Sequence, residues 1–395
     1  MDKNEKYIND YLFFQEGPGV RNYQYTTSGV KLLNVSNLVD GNLDLSNSNR
    51  YISNEEAYGK YKHFLCDVGD LIIASSGIKA DYFDKKMGFV KEEMLPLCMN
   101  TSTIRFKLLN ESDMNIKYFM YYLKSGHFRK QLEYNLTGSA QLNFGPSHLK
   151  KMKFIYHDIL KQKEIVEKLD SISNMIKFKK EQLLKLDVLI KSQFVEMFGT
   201  NKKSKYPYES LENLTLKITD GKHGGCKGEK NSGYYFVGAT EIYNNKINYQ
   251  TAKEITKNDF EKDYKRCDLK NNDFVIVNTG ATIGKSAIVN SDLADYTLLQ
   301  KSVALIRTKQ ELINPIYLKY CYDANPDMYN KGNGCARINL LLSQIKETMI
   351  PVPPIELQNK FAQIVEQIDK QKFEFEKSLK KLEELQASLM QEYFG

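Results

Sequence analysis

The feature that most constrains this chain is an ending that is written twice. Residues 192–199 read SQFVEMFG, and the last eight residues, 388–395, read SLMQEYFG. The same separation of 196 residues relates TGSAQLNF, at 137–144, to NGCARINL, at 333–340. Because matches that keep their order and spacing indicate an internal repeat, the chain contains two copies of one structural plan.

Each copy begins with a block of short strands. VGDLIIASSG in the first copy parallels NNDFVIVNTG in the second, and both are apolar runs ended by small polar residues and glycine. Such runs, rich in β-branched residues and broken by Gly, Asn and Asp, predict short strands joined by turns. KYFMYYLKSGHFRKQL (117–132) and PIYLKYCYDAN (315–325) predict helices among these strands.

Each copy ends in a long amphipathic segment. Its apolar residues recur at alternating steps of three and four, interrupted by Lys179 in the first copy and by Lys372 and Gln386 in the second. A seam of about five heptads needs a partner helix. Since about 40 residues form a helix roughly 60 Å long, we expect the two helices to pack on each other, antiparallel. The seam residues are Ile165, Leu169, Ile172, Ile176, Leu183, Leu186 and Ile190 in the first copy, and Phe361, Val365, Ile368, Phe375, Leu379, Leu382 and Leu389 in the second.

The predicted fold class is therefore α+β. It consists of two similar mixed α/β domains separated by two long helices, which form an antiparallel coiled coil with pseudo-twofold symmetry. A length of 395 residues fits two domains rather than one core. The expected domains are 1–156 and 200–352, and the expected helices are 157–199 and 353–395.

Composition limits the class of protein. The net charge of +7 is compatible with nucleic-acid binding without establishing it. No apolar stretch approaches the roughly 20 residues of a membrane span, and the start MDKNEKYIND is too polar for a signal peptide. The six cysteines are scattered, without metal-ligand spacing. We therefore expect a cytoplasmic protein with reduced cysteines.

The sequence lacks the motifs of the obvious enzyme classes. NTGATIGK resembles a phosphate-binding loop, but Thr279 stands where the first glycine is required. The chain has neither the Asn/Asp-Pro-Pro-aromatic loop of a methyltransferase that acts on amino groups nor a metal-dependent nuclease motif, and its five histidines form no visible triad or metal site. These absences favour a binding protein without cofactor or metal over an enzyme.

At the helix ends the chain resembles a known family, the DNA specificity subunits of Type I restriction-modification systems. The second helix opens near PPIELQNKFAQIVEQID and closes on SLMQEYFG, and the first repeats this as DILKQKEIVEKLDSI closing on SQFVEMFG, without the prolines. ITDGKHGG, NTGATIGK and TGSAQLNF are similar to strings of that family's target-recognition domains.

The resemblance implies a division of labour. Each target-recognition domain would read one half of a bipartite, asymmetric site in double-stranded DNA. The coiled coil would set the spacer between the halves and dock two methyltransferase subunits, which methylate adenine N6, and restriction subunits would join for cleavage. The chain itself would not be catalytic. The alternative is a coiled-coil scaffold whose blocks bind protein rather than DNA.

Within this resemblance, polar residues of the glycine-bearing loops are the candidates for DNA contact. Glycine lets a backbone approach a phosphate, and forked donors such as Arg, Asn and Gln read base edges. The alternative is that they are ordinary solvent-facing turn residues. The candidates are Arg21, Tyr23, Ser75, Ser76, Lys79 and Gln141 in the first copy, and Lys222, His223, Asn278, Thr279, Thr282, Lys285 and Arg337 in the second.

Tyrosines at helical spacing offer another possible contact, stacking on bases. We expect them in the core instead. They are Tyr118, Tyr121, Tyr122, Tyr317, Tyr320 and Tyr322.

Overall fold

The computed structural model shows two compact units, each combining a block of strands and short helices with parts of two long helices. The first unit consists of Met1–Lys179 and Ser378–Gly395, and the second of Lys180–Lys377. This mixed architecture confirms the predicted fold class, whereas the domain boundaries stay a prediction. The residues that the structure describes are 4–135, 142–199, 204–329 and 339–395.

Both units contain an antiparallel four-stranded sheet with the same strand order. One of the two central strands in each sheet is the buried apolar run of VGDLIIASSG or NNDFVIVNTG, and the turns that flank the central strands contain the candidate loops. Listed across the sheet, the strands are Leu12–Glu16, Thr103–Leu108, Leu71–Ala74 and Met87–Phe89 in the first unit, and Thr215–Asp220, Val303–Thr308, Phe274–Val277 and Ser286–Ile288 in the second.

The smaller sheets repeat as well. A three-stranded sheet has one parallel and one antiparallel pairing in both units. Its strands are Leu97–Met99, Val30–Leu33 and Tyr51–Ile52 in the first unit, and Thr297–Leu299, Tyr235–Val237 and Lys253–Glu254 in the second. The two-stranded pairs are Glu5–Tyr7 with Lys153–Ile155, Leu38–Val39 with Asn42–Leu43, Ser76–Ile78 with Leu142–Asn143, Tyr208–Ser210 with Met349–Pro351, and Ile242–Tyr243 with Lys246–Ile247.

A partly buried ion pair also occurs in both copies. The carboxylate of Asp70 lies 3.6 Å from the guanidinium of Arg105, and that of Asp273 lies 2.8 Å from Arg307. Each aspartate also accepts a hydrogen bond from the backbone N–H three residues earlier, at 2.9 and 2.8 Å. The aspartate that opens both apolar runs therefore holds its turn to the sheet in the same way.

Short helices cover the sheets. The helical segment predicted over 117–132 is divided into two helices, because Ser125 accepts a hydrogen bond from the backbone of Phe128 and starts the second. Five of the six tyrosines are buried, as expected, and Tyr320 is half-buried. The α-helices are Asn54–Tyr58, Ile116–Leu123, Gly126–Asn135, Pro146–Leu149, Leu211–Leu214, Lys257–Cys267, Pro315–Ala324 and Leu342–Lys346. The 3₁₀ helices are Ile8–Asp10, Asn22–Gln24, Val35–Asn37, Lys62–Phe64, Ala80–Lys85, Glu92–Met94, Ala294–Tyr296 and Pro326–Met328.

The long helices span Ile159–Phe198 and Ile355–Phe394. In the first unit the ammonium of Lys161 lies 6.0 Å from the ring centre of Tyr393, and the Gln386 amide donates to the Ser173 hydroxyl at 2.8 Å. Residue numbers rise along one helix as they fall along the other, so the helices pack antiparallel there.

The second unit shows the same arrangement of its two helix segments. The rings of Phe198 and Phe361 lie 5.5 Å apart, and Lys372 forms an ion pair with Asp187. The antiparallel direction therefore holds here too. Lys372 interrupts the apolar seam in this unit, and Gln386 interrupts it in the first. In both cases the polar group of the side chain bonds to the opposite helix.

The repeated Phe-Gly endings close the cores. Phe394 is fully buried in the first unit, with its ring 5.1 Å from that of Tyr118. Phe198 lies 4.7 Å from Tyr317 in the second unit. Each block is thus completed by the end of the long helix that the other copy contributes, since Phe394 belongs to the second copy and Phe198 to the first.

Candidate nucleic-acid interface

A glycine turn follows the first strand of each four-stranded sheet. In the second unit Gly221 donates its backbone N–H to the carbonyl of Val303 at 3.2 Å, and Lys222 donates to Leu299 at 2.7 Å. A Cβ atom on Gly221 would lie 2.1 Å from the Leu299 oxygen, inside van der Waals contact. Only glycine lets the turn pass this close to the neighbouring backbone.

The first unit forms the same crossing. Gly17 donates to the carbonyl of Thr103 at 2.9 Å, and a Cβ atom there would lie 2.0 Å from the oxygen of Asn100. The GPGVRNYQY and DGKHGG turns therefore occupy the same place in the two blocks, although their sequences share little beyond this glycine.

Gly221→Ala is expected to lower the free energy of unfolding by about 1 to 3 kcal/mol, because the backbone at Leu299 must shift to admit the methyl group. Gly225→Ala is the matched control in the same turn, since a Cβ atom there has no neighbour within 4 Å. Urea unfolding of the full chain measures both. Equal changes in the two variants would contradict the close crossing.

The residue after the central strand is buried in both units. Asn278 donates its backbone N–H to Ser302 at 3.0 Å and accepts from Leu340 at 2.8 Å. Ser75 makes the equivalent pair of backbone bonds, and its hydroxyl lies 3.4 Å from a carboxylate oxygen of Glu16. Contact of either side chain with DNA would require the loop to open, so in this arrangement both residues hold the loop in place.

The side chain of Asn278 is more constrained than that of Ser75. It is 4% exposed, and its Oδ1 meets no hydrogen-bond donor within the part of the chain that the structure describes. An unsatisfied buried carbonyl oxygen is costly, so this arrangement of the Asn278 side chain does not stabilise the block.

Three loop segments of the second unit, together with Phe236 of strand Tyr235–Val237, line a cavity of about 320 Å³. The three segments are the glycine turn, the start of the NTGATIGK loop and the turn before strand Val303–Thr308. Thr279 belongs to this cavity, and its hydroxyl donates to Asn339 at 2.8 Å. The lining residues are Lys222, Gly224, Gly225, Phe236, Thr279, Gln300, Lys301 and Ser302.

Two residues of this cavity, Gln300 and Lys301, were missed from the sequence. Lys301 is exposed, and its backbone N–H donates to the carbonyl of Lys222 at 2.9 Å, which fixes it beside the glycine turn. The signal was present in the repeat, because QKS at 300–302 precedes the strand VALIR just as NTS at 100–102 precedes TIRF.

The ionisable side chains at the glycine turn differ in their ion pairing and in their exposure to solvent. The ammonium of Lys222 is paired with Asp263, and this hydrogen bond raises the pKa of Lys222 above its ordinary value. The imidazole of His223 is 57% exposed and lies 3.9 Å from the carboxylate of Asp220. Lys222 therefore stabilises the turn from within, while His223 and Lys301 face solvent.

The NTGATIGK loop is divided between two surfaces. It joins the antiparallel strands Phe274–Val277 and Ser286–Ile288, unlike a phosphate-binding loop, which leads from a strand into a helix. Lys285 is exposed, with its ammonium 6.0 Å from the ring centre of Tyr243, and lines a different groove from Thr279. The carbonyl of Thr282 accepts a hydrogen bond from the backbone N–H of Lys285 at 3.2 Å.

In the first unit the candidates lie on two neighbouring segments. Arg21 and Tyr23 are exposed beyond the glycine turn, and Tyr23 is 87% exposed. The hydroxyl of Ser76 donates to that of Ser102 at 2.7 Å, and Lys79 is exposed. The remaining two candidates, Gln141 and Arg337, lie outside the described residues.

Within 4–135, 142–199, 204–329 and 339–395, no cluster of His, Cys, Asp and Glu has the makings of a metal site. None of the helices described there is long and apolar enough to cross a membrane. The five cysteines in these ranges are buried thiols.

The two copies match a known family separately. Residues 20–187 and 224–387 each match the family described as the Type I restriction modification DNA specificity domain. Over 140 residues, 34% of this chain, the sequence is 26% identical to the Type I restriction enzyme EcoBI specificity subunit of Escherichia coli. That match spans only 28% of the length of the E. coli protein.

Two solved structures resemble the whole chain. The S subunit of a Type I restriction-modification system from M. genitalium has a TM-score of 0.55 at 16% identity, over 99% of this chain and 96% of that one. A chain from a structure concerning complex assembly and conformational transition of the type I R-M system has a TM-score of 0.56 at 14% identity, over 97% of both chains. At such identities the likeness concerns the fold.

Proposed function

Because this chain belongs to the family of Type I restriction-modification specificity subunits, with one specificity domain in each repeat, we propose that each unit reads one half of a bipartite DNA site. The observation that carries the proposal is a surface feature that both blocks share, which we call the corner. In each unit a glycine turn crosses the adjoining backbone beside the loop that ends a central strand. Two units of similar fold but with different loop residues are suited to a DNA site whose two halves differ in sequence.

The residues at the corner have the chemistry that DNA recognition needs. Lys301 and His223 in the second unit, and Arg21 in the first, are exposed positive or ionisable groups at the two turns, and Lys79 is exposed beyond the loop that ends the central strand of the first unit. Cations on phosphates position a protein, while hydroxyl and amide groups such as those of Thr279 and Gln300 read base edges. We assign these four cationic or ionisable residues to contacts with DNA phosphates, and Thr279 and Gln300 to contacts with base edges.

The long helices are proposed to set the spacer and to dock two methyltransferase subunits, with restriction subunits joining for cleavage. Apolar residues that are exposed on the long helices and lie outside the antiparallel seam support this docking, because exposed apolar surface can bind a partner protein. Leu184, Val188 and Phe373 are exposed on the helix segments of the second unit, and Phe178 and Leu385 on those of the first.

Catalysis is assigned to those partners. The chain is proposed to supply recognition only, with adenine N6 methylated by the docked subunits. Co-expression of the chain with a cognate methyltransferase, followed by single-molecule sequencing of host DNA, tests this. Methylated adenines in a bipartite motif are expected from the pair and none from the chain alone. Methylation by the chain alone would overturn the non-catalytic assignment.

Lys301→Ala is expected to reduce the slope of log affinity against log salt by about one, because one phosphate contact is lost. Lys309→Ala is the control: it follows strand Val303–Thr308, whereas Lys301 precedes it, so the two lysines lie at opposite ends of one strand. DNA binding by the assembled complex, measured at several salt concentrations, reports both slopes. Binding that does not depend on salt would favour the protein-binding scaffold instead.

A further inference from the structure

One glutamine occupies the same position in both long helices. Gln162 is the fourth residue of the first helix and Gln358 the fourth of the second, and both side chains are fully buried. Glutamine is seldom buried completely unless its amide is hydrogen-bonded, because stripping an amide of water is costly. The partners of these two amides therefore define their role.

In the first unit the Gln162 amide makes three hydrogen bonds to backbone groups. Its Oε1 accepts from the N–H of Asn115 at 2.8 Å, and its Nε2 donates to the carbonyls of Asp113 at 3.2 Å and His157 at 2.7 Å. Asn115 begins the helix that covers the sheet, since its side chain accepts from the first N–H groups of that helix. The amide thus joins the start of the long helix to the start of the helix that covers the sheet.

In the second unit Gln358 makes the same three bonds. Its Oε1 accepts from Asn314 at 2.9 Å, and its Nε2 donates to Leu312 at 3.2 Å and Pro353 at 2.8 Å. Asn314 again begins the covering helix. The same side chain therefore bonds the same three backbone positions in two blocks whose loops have diverged.

Three bonds from one planar amide fix a direction as well as a distance. Loss of the amide would leave the helix packed by apolar contacts, which resist separation better than they resist small rotations, because burial of apolar surface is non-directional. A tilt of about 5° at the first turn moves the far end of a helix of 40 residues by roughly 5 Å, more than one base-pair step.

We infer that Gln162 and Gln358 are positioning residues that fix the angle between each block and its long helix, and that they thereby define how strictly the spacer is measured. The inference rests on the proposed function, since it concerns the spacer between two half-sites. Neither residue is expected to touch DNA, because both are fully buried at the base of a block.

The test uses the full chain in complex with its cognate methyltransferase. Duplexes contain both half-sites with the native spacer, one base pair fewer or one base pair more, and methylation rates are compared. The unaltered complex is expected to prefer the native spacer. Gln358→Met, which keeps the side-chain length and removes the amide, is expected to reduce that preference about tenfold or more, because misplacement by about 1 Å is enough to affect a rate strongly.

Two controls separate positioning from stability. Leu305→Ala removes a fully buried side chain of the same unit's sheet, and Gln344→Met removes a glutamine that accepts a backbone hydrogen bond from Leu341 at 2.9 Å in a short helix. Both are expected to keep the native spacer preference. If Gln358→Met gives no folded complex, Gln162→Met replaces it, because Gln162 makes the same three backbone bonds in the first unit.

The outcomes are distinct. A variant at Gln358 or Gln162 that keeps the native preference, or a Leu305→Ala complex that loses it equally, overturns the inference. If the unaltered complex methylates no bipartite site at all, the proposed function fails instead.

Discussion

Phe394→Ala, a change at the last residue but one, is expected to destabilise the first unit by about 3 to 5 kcal/mol, the usual cost of removing a buried phenylalanine. The Phe394 ring is fully buried, 5.1 Å from Tyr118 and 6.3 Å from Tyr122. Hydrogen exchange measured by mass spectrometry on the full chain should show lost protection across the N-terminal block, with the second unit little changed.

Phe198→Ala provides the complementary variant, because Phe198 closes the core of the second unit against Tyr317 and Phe361. It should expose the second block and spare the first. Phe178→Ala is the control for a phenylalanine on a long helix, since this side chain is 62% exposed and should affect neither block. Loss of protection in the wrong block, or in both equally, would contradict the assignment of the two endings.

The second large effect is expected from lengthening the long helices. One extra helical turn inserted after Lys179 and another after Lys377 fall on the borders of the two units, so each unit keeps its own contacts. Four residues add about 6 Å, at most about two base-pair steps of 3.4 Å. Sequencing of methylated adenines should show a spacer longer by one or two base pairs and two unchanged half-sites.

Insertion into only one helix is the control for this experiment. It puts the two helices out of register, because the contact of Gln386 with Ser173 and the helix contacts on the other side of the insertion can no longer form at the same time. We expect a less stable protein rather than a new, well-defined spacer. If the double insertion altered a half-site and left the spacer as it was, the helices would not be the measuring element.

Much of the architecture was predictable because periodicity and repetition are properties of the sequence itself. The apolar steps of three and four predict the long helices, and the seam residue Ile165 is indeed fully buried. The repeated Phe-Gly ending predicted a repeated unit. The predicted antiparallel packing brings the end of the second helix near the first block, but the burial of Phe394 against Tyr118 was not predictable, since long-range packing leaves no local pattern.

The interface was only partly predictable for a similar reason. Glycine-bearing loops indicated the correct turns, but exposure depends on which side of a loop faces the sheet. Asn278 has the residue type of a base reader and is buried, whereas Lys301 has no motif of its own and is exposed at the corner. The glutamines at 162 and 358 were visible as I-x-x-Q at the start of both helices. Their role depends on three backbone bonds that a sequence does not show.

The most direct measurement of whether each unit reads its own half-site is the methylated motif of a variant altered at one corner only. Lys301→Ala combined with Thr279→Ala changes the second unit, and Lys309→Ala is a control at the opposite end of the strand, where the ammonium donates to the carbonyl of Asn213 at 2.8 Å. Single-molecule sequencing should show one half of the bipartite motif relaxed, with the other half and the spacer intact. Equal relaxation of both halves, or an unchanged motif with full methylation, would contradict the account.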